Sequence, residues 1–136
     1  MTKRASASDS VQHLNSAQPA DNAKQRNNAQ PLASYANKIP VRIHAEIEKR
    51  GFKDLRPCQF KAIDAGLFKD RNLLVCTPTA SGKTLVAELA ALNAIYHDHG
   101  KAVYVVPLRA LASEKHKQFK KDYPHLKVAL SSGDLD

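Results

Sequence analysis

The stretch that most narrows the folds open to this chain runs from Asn72 to Thr84. Asn72-Leu73-Leu74-Val75-Cys76 is an apolar run of buried-strand length, and Lys83 opens a long helical pattern. Between them lie Thr77, Pro78, Thr79, Ala80, Ser81 and Gly82. Strand, loop and helix in that order, ending on Gly-Lys-Thr, can wrap an anionic phosphate tail. Backbone N–H groups of the loop and first helical turn surround the anion, and the positive end of the helix dipole favours its charge. Gly82 lets the backbone approach with no Cβ in the way. Lys83 supplies a point charge for the outer phosphates, and the Thr84 hydroxyl suits Mg2+. The pattern G-x-x-x-x-G-K-[ST] asks for Gly at position 77, where this chain has Thr. A β-branched residue does not sit well at positive φ, so the loop is expected to enter by another backbone path.

The rest of the chain reads as helices and strands in alternation. Glu46, Glu48, Lys49 and Arg50 before Gly51 suggest a short helix with a glycine stop. Pro57 suits the first turn of a second helix through Gln59, Phe60, Ile63 and Leu67. After the loop, Leu85, Leu89, Leu92 and Tyr96 recur at helical spacing, with alanines on the other faces, so this helix is expected to be largely buried. Ala102-Val103-Tyr104-Val105-Val106 reads as a second buried strand, closed by Pro107. Leu108, Leu111, Ala112 and Phe119 mark another helix, with Lys115, Lys117, Lys120 and Lys121 on its wetter side. Lys127-Val128-Ala129-Leu130 reads as a third strand, followed by a loop Ser131-Ser132-Gly133-Asp134. The order α, α, then β-α-β-α-β implies an α/β fold: a parallel sheet with right-handed crossovers and flanking helices, the first strand carrying the phosphate loop.

Residues 1–36 are rich in Ala, Ser, Gln and Asn, and their few apolar residues, Val11, Leu14, Leu32 and Tyr35, show no period. Such a segment is expected to be a disordered polar tail, leaving 37–136 as the folded part. The net charge is +8, of which the tail carries only +2 (four basic against two acidic residues). A basic balance concentrated in the folded part suits a polyanionic partner such as nucleic acid, though ordinary solubility charge accounts for it equally well. Cys58 and Cys76 lack metal-ligand or C-x-x-C spacing and read as small buried apolar residues. No apolar run is long enough to span a membrane and no signal-peptide core is present, so a cytoplasmic, reduced setting is expected.

Three separated stretches resemble one family. Gly51-Phe52 followed by Leu55-Arg56-Pro57-Cys58-Gln59 is similar to the Q motif, in which Gln reads adenine; an amide can both accept from N6–H and donate to N7. Pro78 to Thr84 matches the phosphate loop, and Val106-Pro107-Leu108-Arg109-Ala110-Leu111-Ala112-Ser113-Glu114-Lys115 resembles motif Ia, which lies along the nucleic-acid backbone. Together they resemble the N-terminal part of the first RecA-like domain of superfamily 2 helicases of the DEAD/DEAH-box type, in the group of superkiller-like and archaeal repair helicases. The resemblance implies a P-loop NTPase sheet that binds ATP and Mg2+. Phe52, Gln59 and the loop residues Thr77, Pro78, Thr79, Ala80, Ser81, Gly82, Lys83 and Thr84 would hold the nucleotide. Lys83 and Thr84 would act in catalysis, and Thr84 would also hold the metal. It implies single-stranded or partly duplex DNA or RNA against Pro107, Arg109, Ala110, Gly133 and Asp134. Read without the family, Arg109 is a solvated residue at a helix start.

The family's hydrolysis needs an Asp-Glu pair on a later strand, and no Asp-Glu dipeptide occurs in this sequence. The chain is therefore expected to be part of a longer helicase, binding adenine nucleotide weakly alone and turning it over negligibly. An incomplete sheet would leave an exposed edge and poor solubility. The alternative is a stand-alone, non-catalytic nucleotide or nucleic-acid binding module. A small P-loop kinase is disfavoured because the Pro107–Leu111 stretch has no role there.

Overall fold

The computed structural model describes residues 28–97 and 100–133. They belong to two compact units, one ending at Gly100 and the other beginning at Lys101.

The first unit begins with a minimal antiparallel ladder. Strand β1 (Gln30–Pro31) pairs with β2 (Asp54–Leu55), with Gln30 opposite Leu55 and Pro31 opposite Asp54. Pro31 has no N–H to give, which suits so short an edge. A 3-10 turn follows at Leu32–Tyr35, and the Leu32 N–H donates to Lys53 O at 2.9 Å. The folded part thus begins earlier than the expected boundary at residue 37. Leu32, Tyr35 and Ile39 are buried, and the Tyr35 hydroxyl donates to Asp64 at 2.9 Å. A 3-10 turn and a two-residue strand have no 3.6-residue repeat to reveal them, so composition suggested a tail where packing makes an anchor. The expected tail over residues 1–27 lies outside the described residues.

Helix α1 spans Val41–Lys49 and puts Ile43 and Ile47, four apart, fully into the core. Each such side chain stabilises the fold by about 2 kcal/mol through removal from water. The helix stops as the sequence suggested. Gly51 takes φ +90, its N–H donates to Glu48 O at 2.9 Å, and the Phe52 N–H donates to Ile47 O at 3.2 Å. These are the two reversed bonds of a Schellman cap. Helix α2 spans Pro57–Asp64 with Pro57 in its first turn, and buries Cys58, Gln59, Ala62 and Ile63. It ends in a second Schellman cap at Gly66 (φ +103), where the Gly66 N–H donates to Ile63 O and the Leu67 N–H to Ala62 O, both at 3.1 Å. That cap closes the helix before Leu67, which still packs into the core.

Helix α3 spans Lys83–Tyr96 and buries Leu85, Val86, Glu88, Leu89, Leu92 and Asn93. It packs on α2 and α1. Its far end is tied to α1: the Tyr96 hydroxyl donates to Glu46, and the Arg42 guanidinium lies 3.8 Å from the Tyr96 ring centre. Burial, with the Glu46 carboxylate beside it, pushes the Tyr96 phenol far above its usual range.

The expected parallel sheet is not formed among the described residues. Segments 72–76, 102–106 and 127–130 carry no strand. Leu73 and Val75 are half-buried while Leu74 and Cys76 are exposed, so the two-residue alternation of a strand is present without a bonded neighbour. Cys76 is thus not the buried residue its apolar run suggested. A strand's N–H and C=O groups need a partner strand, and side-chain pattern alone cannot supply one.

The second unit is built on helix α4 (Arg109–Asp122). Tyr104 meets Phe119 edge-on, with ring centres 5.2 Å apart and planes at 78°. His116 Nε2 lies 3.3 Å from Val128 O. Val103, Val105 and Leu108 are largely exposed. Among the described residues no helix is long and apolar enough to cross a membrane.

Candidate nucleotide-binding site

The loop between Thr77 and Gly82 turns at two positions of positive φ, Ala80 (+64) and Gly82 (+88). Thr77 is not among the positive-φ residues described, so the missing glycine at that position costs the loop nothing. Gly82 is the N-cap of α3, and no side chain caps the helix there. The first turn of α3 carries no acidic residue either. The positive end of a fourteen-residue helix therefore faces the loop with no carboxylate of its own first turn to compete for it.

Helix α2 holds the back of this loop. Three side chains at its N-terminal end bond three successive loop carbonyls. Arg56 Nη1 donates to Ala80 O at 2.6 Å, Cys58 Sγ to Ser81 O at 3.0 Å and Gln59 Nε2 to Gly82 O at 3.0 Å. Gln59 Oε1 in turn accepts the Arg56 N–H at 2.8 Å, satisfying a donor at the start of α2. Burial pushes the Cys58 thiol up, which keeps it protonated as the donor this contact needs. Gln59 is 3% exposed, and a Cβ on Gly82 would come within 2.5 Å of its Nε2. Only glycine satisfies both that approach and the φ at position 82.

Inside the loop, Thr77 Oγ1 and Ser81 Oγ share a hydrogen bond at 2.5 Å, and the Ser81 N–H donates to Pro78 O at 3.3 Å. The Lys83 ammonium donates to Thr77 O at 3.1 Å, so the lysine is folded over the loop's entrance rather than paired with a carboxylate. Thr79 and Ala80 are exposed, while Pro78 and Thr84 are half-buried. Phe52 is half-buried, with the Arg50 guanidinium 5.3 Å from its ring centre.

The other expected site residues lie in the second unit. Pro107, Arg109 and Ala110 are exposed at the start of α4, and Arg109 is its first residue. Gly133 is exposed in a turn, and Asp134 lies outside the described residues. Among the described residues no three His, Cys, Asp or Glu side chains gather as a metal cluster.

Sequence reasoning placed Gln59 beside the nucleotide but gave Arg56 no role and read Cys58 as packing alone. One signal was available: an arginine stands where a helix N-cap usually carries Ser, Thr, Asp or Asn.

Residues 56–135 match the model of the DEAD/DEAH box helicase family. The chain is 50% identical over 101 residues to the ATP-dependent DNA helicase Hel308 of Pyrococcus horikoshii, covering 73% of this chain and 14% of that protein. It is 46% identical over 99 residues to the protein of the same name from Thermococcus kodakarensis, covering 72% and 9%. With that of Methanococcus vannielii the figures are 47% over 94 residues, covering 63% and 12%. The chain spans about a seventh or less of the length of these relatives. The family match over more than half the sequence places the chain in the DEAD/DEAH box helicase family.

Proposed function

We propose that this chain is the ATP-binding portion of a helicase that couples ATP hydrolysis to movement along, and unwinding of, DNA. One observation carries the reading: a loop braced from behind by α2 opens onto the uncapped N-terminus of α3, with Lys83 folded across it and no carboxylate in the first helical turn. Loop and helix-start N–H groups would receive the phosphates, Lys83 would swing from Thr77 O to the outer ones, and the Thr84 hydroxyl would ligate Mg2+. Gln59 uses one Nε2 hydrogen and one Oε1 lone pair within the protein, which leaves one of each for adenine. Bound ATP supplies the phosphoryl bond whose hydrolysis drives such motors; the residues here bind and orient it.

DNA rather than RNA is favoured because the relatives are named as DNA helicases. Arg109, at the start of α4, would meet a strand phosphate. Since no Asp-Glu dipeptide occurs in the 136 residues, this chain alone would bind nucleotide without appreciable turnover. On that ground a free-standing nucleotide-binding module is the second reading.

The test is titration with a fluorescent ATP analogue. Lys83→Ala is expected to weaken binding at least tenfold, and Gln59→Ala to erase preference for ATP over GTP. Equal affinity of wild type and Lys83→Ala would sink the phosphate-loop reading.

A further inference from the structure

Ala80 takes a left-handed conformation that strains an L-residue, and a side chain from the start of α2 holds its carbonyl. That side chain is Arg56, which reaches Ala80 O at 2.6 Å from the start of α2. Cys58 and Gln59 hold the next two carbonyls, but both are buried parts of the core, whereas Arg56 is exposed. Arg56 is thus the one brace of the three that adds little to the hydrophobic packing of α2. A guanidinium suits the task because its donors are fixed in a plane and it stays charged at any ordinary pH.

We propose that Arg56 is a positioning residue for the phosphate loop: by bonding Ala80 O it keeps Ala80 left-handed, and so keeps the loop in its anion-receiving shape before nucleotide arrives. Arg56 does not itself need to touch the nucleotide. The inference rests on the nucleotide-binding reading above and extends it to a residue which that reading leaves without work. Its particular consequence is a coupling between positions 56 and 80. Glycine meets no penalty at positive φ, so a loop with the Ala80→Gly substitution keeps the turn whether or not Arg56 is present.

The experiment is a double-mutant cycle on the 136-residue chain, read by binding of a fluorescent ADP analogue and by hydrogen exchange of the loop amides without nucleotide. Arg56→Ala is expected to weaken binding about tenfold, the scale of one lost charge-assisted hydrogen bond, and to speed loop exchange. On an Ala80→Gly background the same substitution is expected to change affinity less than about twofold. Arg56→Lys, which keeps a donor and the charge, should recover part of the loss. Equal Arg56→Ala penalties on the two backgrounds would overturn the proposal, because the arginine would then act as a charge near the phosphates and not through Ala80. Loop exchange unchanged by Arg56→Ala would overturn it as well, with no reference to nucleotide. Absence of binding by the wild type, with exchange still quickened in Arg56→Ala, would instead remove the nucleotide-binding reading and leave the brace standing.

Discussion

Arg50 and Glu88 form an ion pair at 2.7 Å, the Glu88 side chain 4% exposed and the Arg50 side chain 19%. Arg50 caps the C-terminus of α1, and Glu88 sits in the second turn of α3, the helix that begins just after Gly82. The pair therefore fixes how that helix leans on the rest of its unit. Glu88→Ala would leave a guanidinium largely buried with its carboxylate gone. The expected loss is about 3 kcal/mol, read as a lower urea midpoint at unchanged slope. Glu88→Gln, which keeps an acceptor, should lose less; an unaltered midpoint in both variants would show the pair to be worth no more than a surface contact.

Gly82→Ala meets two separate obstacles, the left-handed backbone and the Gln59 amide 2.5 Å from the new Cβ. A loss of about 2 kcal/mol is expected in thermal or urea unfolding. Combining it with Gln59→Ala should relieve the collision but not the backbone strain. The double variant should therefore lose less than the sum of the two single losses. Strict additivity would mean that the two residues do not touch.

The Tyr35–Asp64–Lys38 cluster ties the 3-10 turn to the end of α2, with the Lys38 ammonium 2.6 Å from Asp64. The hydrogen bond from Lys38 holds the Asp64 carboxyl below its ordinary value of 3.8, and the same contact raises Lys38 above 10.5. For a depressed carboxylate, the added stability is present above the unfolded pKa and is lost as pH falls through the folded one. For a raised lysine, it is present below the unfolded pKa and lost as pH rises through the folded one. The cluster should thus contribute on a plateau from about pH 4 to pH 10. Because Asp64 and Lys38 are about half exposed, the contribution is small, and the measurable sign of it is its pH dependence. Melting curves of wild type and Asp64→Asn are expected to differ on that plateau and to converge below about pH 4. A gap that widens in acid would contradict this assignment.

Arg109→Ala tests the motif Ia reading separately from the nucleotide. If Arg109 meets a strand phosphate, single-stranded DNA binding should weaken, and the log–log salt slope should fall by about one. An unchanged slope would leave Arg109 as a solvated residue at the start of a helix.

The helices were legible from local chemistry. Gly51 as a stop, Pro57 as a start and the Leu85–Leu89–Leu92 spacing all act within one or two turns, so the sequence displays them directly. The turn at Gly82 that opens α3 was legible for the same reason. Contacts between distant segments were not. Leu32 and Tyr35 looked like strays in a polar tail because nothing near them in sequence announces the Lys53 carbonyl or Asp64. The reach of Arg56 to Ala80 across 24 positions leaves no periodic trace. The parallel sheet is not seen among the described residues: Val103 and Val105 have strand composition, but a ladder is a property of two segments, and both residues stand 85% exposed.

The two cysteines differ in a way that matters at the bench. Cys58 is buried, its thiol held protonated against Ser81 O, while Cys76 is exposed and adjoins Thr77 at the mouth of the loop. A maleimide dye should therefore couple at Cys76 and spare Cys58, with no engineered residue. The chain thus carries its own attachment point for a fluorescent reporter beside the candidate nucleotide-binding loop.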